Sequence, residues 1–342
     1  MRAVRLHTYH ERPRLEEVPE PEITGPHDVI VRIGGAGLCR TDLHIRDGWF
    51  APLLPVELPL TLGHENAGWV HAMGSAVENV GVGDTVICHP NLGCGLCAAC
   101  RVGEDMRCAR GMNFPGLTRD GGFAELLKTG DRSVLRLIPD VAPVDVAAHA
   151  DGGLSAYHAV RKAVPSLGPG TRVVVVGVGG LGHIAVQCLR TRTPATVIAI
   201  DPDPEACKLA LDCGAHHAVP ADDQQAERVA TLTGGAGAEV VIDFVGEDAS
   251  IAAALGMVRP RGSYLIVGYG GTLTVPALQL VFGEISVAGN TVGTYDDLRE
   301  LMELTAAGDV SVRNRPYPLE AFADALDDLE HGRMHGRGVL VP

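Results

Sequence analysis

The sequence predicts an α/β fold, a doubly wound parallel sheet joined to a separate β-rich domain, and three observations predict it. Between residues 172 and 267, short β-branched runs alternate with helical stretches, the pattern of βαβ units and a parallel sheet. Before about residue 150, short apolar runs are separated by Gly and Pro with no helical period. The chain, at 342 residues, is also too long for one ordinary core, so two domains are expected.

In chain order, the first stretch offers strands at Asp28–Ile33, Asn66–His71 and Asp84–His89. In the middle, Arg172–Val176 is a strand, Leu181–Arg190 a helix and Thr196–Ile200 a second strand. A helix at Glu205–Cys213 is closed by Gly214, and strands follow at Val240–Phe244 and Ser263–Val267. Helices near Asp296–Ala307 and Leu319–His331 precede a terminal strand. That tail is too small to stand alone and is expected to rejoin the first domain. The expected boundaries are 1–152, with a small lobe at 91–110, then 153–289 and 290–342. Aromatic residues are only 4%, so both cores must rest on Val, Leu, Ile and Ala.

The net charge of −14 argues against non-specific binding to nucleic acid or anionic lipid. Val173–Leu189, the most apolar stretch, is interrupted by Gly177, Gly179, Gly180 and Gly182, as well as by His183 and Gln187. It reads as a buried strand and helix, not as a membrane span. Met1–Glu17 has no continuous apolar core, so a cytoplasmic protein is expected. Nine cysteines cannot all pair within one chain.

Val173-Val-Val-Val-Gly177-Val-Gly179-Gly180-Leu181-Gly182 runs a strand straight into a G-x-G-x-x-G loop and a helix. Gly177 permits the tight turn, Gly179 lets backbone approach a pyrophosphate, and Gly182 lets helix pack on strand. The helix N-terminus then faces the phosphates. Asp201 ends the next strand, where a carboxylate accepts bonds from the adenosine ribose and repels a 2′-phosphate. This is the dinucleotide signature of a Rossmann domain, with NAD favoured over NADP. A glycine-rich turn without a ligand is the bland alternative. Gly268, after the strand Ser263–Val267, and Asp243 are expected to face the cofactor with their backbone.

Cys94, Cys97, Cys100 and Cys108 fall within fifteen positions. Four thiolates close a tetrahedral zinc and leave no position for a substrate, so this site is structural. An iron–sulfur cluster shares such spacing and would colour the protein. Cys39, in Gly37-Leu-Cys39-Arg40-Thr41-Asp42-Leu-His44, and His64, in Gly63-His64-Glu65, suggest a second, open metal site. Taken singly, each is as readily a buried hydrophobe or a satisfied core histidine.

In this order and combination the motifs resemble those of the zinc-dependent medium-chain alcohol dehydrogenases, most of all bacterial NAD-dependent secondary alcohol dehydrogenases, over essentially the whole chain. The resemblance implies a GroES-like catalytic domain beside the Rossmann domain, with NAD and zinc in the cleft between them. It implies Cys39, His64 and Asp151 as ligands of a catalytic zinc, and Glu65 beside that metal as a transient ligand or an outer partner. It also implies that Thr41 takes the alcohol proton and passes it through the nicotinamide ribose to His44 and so to solvent. Arg40 and Arg337 match positions that contact the cofactor pyrophosphate. Trp49 and Phe50 are candidates for an apolar substrate wall, or simply core. The activity implied is reversible hydride transfer between NAD and an alcohol/ketone or aldehyde pair, two zinc ions per subunit, in a homo-oligomer, a tetramer over a dimer. The alternatives are a polyol dehydrogenase of the same family and a non-catalytic NAD-binding protein that keeps only the structural zinc.

Overall fold

The computed structural model describes residues 1–54, 56–138 and 141–342. The chain divides into two compact units, Met1–Leu154 with Gly293–Pro342, and Ser155–Val292.

The second unit is built on six parallel strands. Across the sheet they run His217–Pro220, Thr196–Asp201, Arg172–Val176, Ala238–Asp243, Val258–Ile266 and Ser286–Gly289. Numbered along the chain, that order is 3-2-1-4-5-6. The winding therefore reverses between Arg172–Val176 and Ala238–Asp243, and ligands of such sheets bind at the carboxyl ends beside that reversal. Gly177 and Phe244 leave the two strands there. Val174, Ile198, Ile200, Val241 and Ile251 are buried in one aliphatic cluster, each stabilising the fold by roughly 1.5–3 kcal/mol.

Three helices lying wholly in this unit, Gln225–Leu232, Asp248–Met257 and Ala277–Gly283, are additions to the pattern read from sequence. The second is apolar on nearly every side, so it shows no helical face to a periodicity argument. The strand expected at Ser263 begins five residues earlier, at Val258. Pro260, Gly262 and Arg261, whose φ is 62°, hide its alternation.

In the first unit, six strands follow one path through a seven-stranded sheet: Asn314–Pro318, Arg337–Val341, Asp28–Gly37, Glu65–Met73, Thr85–Cys88 and Val134–Arg136. Leu126–Gly130 pairs with Asp28–Gly37 as the seventh. A three-stranded sheet of Arg14–Glu17, Arg2–Leu6 and Leu60–Thr61 accompanies it. The last strand of the chain lies antiparallel to Asp28–Gly37, with Val339 opposite Gly37. That register brings Arg337 next to the segment that continues into Cys39. Among the described residues, no helix is long and apolar enough to cross a membrane.

Candidate metal centres and dinucleotide loop

Cys39 sits where the strand Asp28–Gly37 turns into the helix Arg40–Arg46, as its N-cap, with extended backbone (φ −125°, ψ 152°). Asp42 closes that turn: its Oδ2 accepts from the Cys39 N–H at 2.9 Å, covering a backbone donor that the first turn leaves orphaned. The other oxygen, Oδ1, lies 3.3 Å from Nδ1 of His64. One fully buried carboxylate thus orients both Cys39 and His64, the carboxylate–histidine arrangement found behind metal ligands. His64 leads into the strand Glu65–Met73, and its Nε2 lies 3.5 Å from Oδ2 of Asp151. Asp151 ends the turn Ala147–Ala150 and precedes the helix Gly152–Ala163.

One donor atom each from Cys39, His64, Glu65 and Asp151 lies within 4.8 Å of all the others. The set of thiolate, imidazole and carboxylate suits zinc. Its electrostatics agree. Burial alone pushes His64 down, but Asp42, Asp151 and Cys39 outweigh it and hold the imidazole well above its usual range. A pocket that binds a proton so tightly favours positive charge, and a divalent ion can take that proton's place.

Glu65 has its two oxygens divided between tasks. Oε1 accepts from the Gly152 N–H at 2.9 Å and from Nη2 of Arg337. Oε2 is buried and makes no hydrogen bond among the described residues. Burial raises the Glu65 carboxyl, while Arg337 and His64 pull it back. Arg337 itself is only 4% exposed. The sequence motifs place this arginine at a pyrophosphate; its guanidinium is also tied to Glu65 beside the metal ligands. The pair is 272 positions apart, and nothing local in the sequence announces it.

Thr41 and His44 occupy i and i+3 positions of the helix that Cys39 caps, hence one face. Burial, then Arg40, holds His44 below the ordinary imidazole range, so its neutral, proton-accepting form prevails near neutral pH. Arg40 is exposed at the first helical position.

The four sulfurs of Cys94, Cys97, Cys100 and Cys108 form a second group, also within 4.8 Å of one another. Backbone N–H groups point at them: Cys97 to the Cys94 sulfur and Cys94 to the Cys108 sulfur at 3.4 Å, Ala109 to the Cys97 sulfur at 3.5 Å. The Ala109 and Cys100 N–H groups draw the Cys97 thiol down to about 6, ready to ligate as thiolate. Such a closed four-thiolate set serves folding. Cys97→Ser is expected to lower Tm by about 5–10 °C, the shift produced by roughly 2–4 kcal/mol in a chain of this class. Thermal melts of parent and variant, with and without chelator, check it.

In the second unit the glycine loop leaves Val176, and the helix Gly182–Arg192 starts after Gly180 and Leu181. A methyl group on Gly182 would lie 1.9 Å from the Gly177 carbonyl oxygen, so only glycine allows this helix its approach to the strand. At Gly179 nothing stands within 4 Å of such a methyl: the loop is exposed there, open to a ligand. Asp201 ends the neighbouring strand; its Oδ2 accepts from the Val178 N–H at 2.7 Å and its Oδ1 from the Asp203 N–H at 3.0 Å. It therefore also anchors the glycine loop, a role its sequence position did not reveal. The Gly268 N–H donates to the Asp243 carbonyl at 3.0 Å.

Residues 25–140 match the alcohol dehydrogenase GroES-like domain, and residues 180–307 match the zinc-binding dehydrogenase family. The NAD-dependent alcohol dehydrogenase of Sulfurisphaera tokodaii is 34% identical, with both chains covered completely. The D-arabinose 1-dehydrogenase (NADP(+)) of Saccharolobus solfataricus is 30% identical over 100% of this chain and 97% of its own. Among solved structures, the alcohol dehydrogenase of the hyperthermophilic archaeon Aeropyrum pernix superposes with a TM-score of 0.97 at 46% identity, both chains covered in full. These relatives are archaeal, where the sequence motifs had suggested bacterial ones. On its motifs, its fold and these likenesses, the chain belongs to the zinc-binding medium-chain alcohol dehydrogenases.

Proposed function

We propose that this protein is an NAD-dependent zinc alcohol dehydrogenase acting on secondary alcohols and their ketones. The observation that carries the reading is the mixed donor set of Cys39, His64, Asp151 and Glu65, with Thr41 and His44 on the helix that Cys39 begins. Zinc, which Cys39, His64, Asp151 and Glu65 would hold, would supply Lewis acidity, and NAD, which the glycine loop would hold, would supply hydride-transfer chemistry. The chain's own residues manage the proton. The Thr41 hydroxyl, donor and acceptor at once, takes it from the substrate hydroxyl. His44, neutral near pH 7, exchanges it with solvent. Thr41→Ala is therefore expected to cost on the order of 10² in kcat at every pH, and His44→Ala to impair turnover mainly near and below neutral pH. Steady-state pH profiles of both variants measure this.

Arg40, Gly177, Gly179, Gly180, Leu181, Gly182, Asp201 and Gly268 are the residues assigned to the cofactor. Arg337 is assigned to the cofactor as well, and its buried ion pair gives it the further task of holding Glu65. The protein is expected in the cytoplasm as a homo-oligomer. Support for assembly lies in the second unit: Ser286–Gly289 is the edge strand of its sheet, and the adjoining helix Ala277–Gly283 exposes Leu278, Val281 and Phe282, the last at 82%. Exposed apolar side chains beside an unpaired strand edge call for a cover. A tetramer is favoured over a dimer.

A sugar or polyol substrate is the second reading, since a 30%-identical relative is named for D-arabinose. A panel of primary, secondary, cyclic and polyol substrates with NAD⁺ decides. The highest kcat/KM is expected on secondary alcohols; a clear preference for polyols would reverse the assignment.

A further inference from the structure

The helix Arg40–Arg46 ends in a way that ties Trp49 to His44. Asp47 follows the helix, and Gly48 adopts the left-handed conformation at φ +72°. The Gly48 N–H donates to the Ile45 carbonyl and the Trp49 N–H to the His44 carbonyl, both at 3.0 Å. This pair of bonds is the Schellman closure, which requires a left-handed residue at the position Gly48 fills and folds the next side chain back over the final turn. Here the folded-back side chain is an indole, and what it meets is an imidazole. The two ring centroids are 4.2 Å apart and the planes differ by 9°.

We propose that Trp49 is a positioning residue for proton transfer, its stack fixing the plane of the His44 imidazole. The inference rests on the relay role given to His44 above. An imidazole moves protons through its two edge nitrogens, so its ring plane must be set before either nitrogen can meet a donor or acceptor. A hydrogen bond could set that plane only by occupying one of those nitrogens. Face-to-face stacking acts through the faces of the ring and does not itself occupy either nitrogen. The partner has to be flat, apolar and held by backbone, and the Schellman turn provides all three. Trp49 is 49% exposed, too open to be explained as core.

The test is the buffer dependence of kcat near neutral pH, at fixed ionic strength, with increasing concentrations of an imidazole buffer. Where the internal relay works, added buffer gives no gain; where it fails, buffer takes its place. His44→Ala is expected to lose on the order of 10² at low buffer and to be rescued by imidazole. Trp49→Ala should lose about 10-fold, a part of that same effect, and show partial rescue. Trp49→Phe, which keeps a flat ring, should restore most of the rate. The double variant Trp49→Ala/His44→Ala should be no slower than His44→Ala, because a positioning residue has nothing left to position. A raised KM with buffer-independent kcat in Trp49→Ala would make Trp49 a substrate wall and overturn the proposal, as would additive losses in the double variant. If His44→Ala itself shows no buffer dependence, the relay reading fails and takes this inference with it.

Discussion

His64→Ala is expected to abolish turnover while leaving most of the thermal stability intact. The imidazole is fully buried between Asp42 and Asp151, with Cys39 adjoining, so its removal takes away a metal ligand. Loss of an outer partner of a metal site typically costs about 10–100-fold, and loss of a ligand has to exceed that. Asp42→Ala is the internal standard. It deletes the carboxylate behind His64 and the cap of the Cys39 N–H, and should fall within that smaller range. Initial rates, metal content and melts of the two variants separate ligand from support. Substantial activity in His64→Ala would remove His64 from the metal site.

The second large effect concerns cofactor choice. Asp201 accepts the Val178 N–H and so does two things at once: it shapes the glycine loop and sets a negative charge where the adenosine ribose is expected. No Arg or Lys occurs from Pro202 to Cys207 to offset that charge. A 2′-phosphate brings nearly two negative charges towards it. The preference for NAD⁺ over NADP⁺ in kcat/KM should be on the order of 10² or more. Asp201→Asn keeps an acceptor for the Val178 N–H, gives up the bond from the Asp203 N–H and removes the charge, so it should admit NADP⁺ and narrow the ratio. Asp201→Gly also removes the anchor, and should weaken NAD⁺ binding further. Equal efficiency with NADP⁺ in the parent enzyme would contradict this account.

What the sequence made legible was what glycine, cysteine and period-two patterning encode. The strand Arg172–Val176 was read to the residue because a pure β-branched run ends at an obligatory glycine. The four-cysteine lobe was equally plain. Short helices escaped: Arg40–Arg46 has only seven residues, less than any apolar period needs to show itself. With it escaped the orienting role of Asp42 and the stack of Trp49 on His44. The Glu65–Arg337 pair was invisible for another reason. It depends on which strand lies beside Asp28–Gly37, a choice made by packing and not by local pattern.

The most direct test combines metal content with turnover. Purified protein should carry two zinc ions per chain and oxidise a secondary alcohol with NAD⁺. A chelator that removes one zinc should abolish that oxidation without unfolding the chain, and added zinc should restore it. One zinc per chain with no alcohol oxidation, before or after zinc is supplied, would contradict the account.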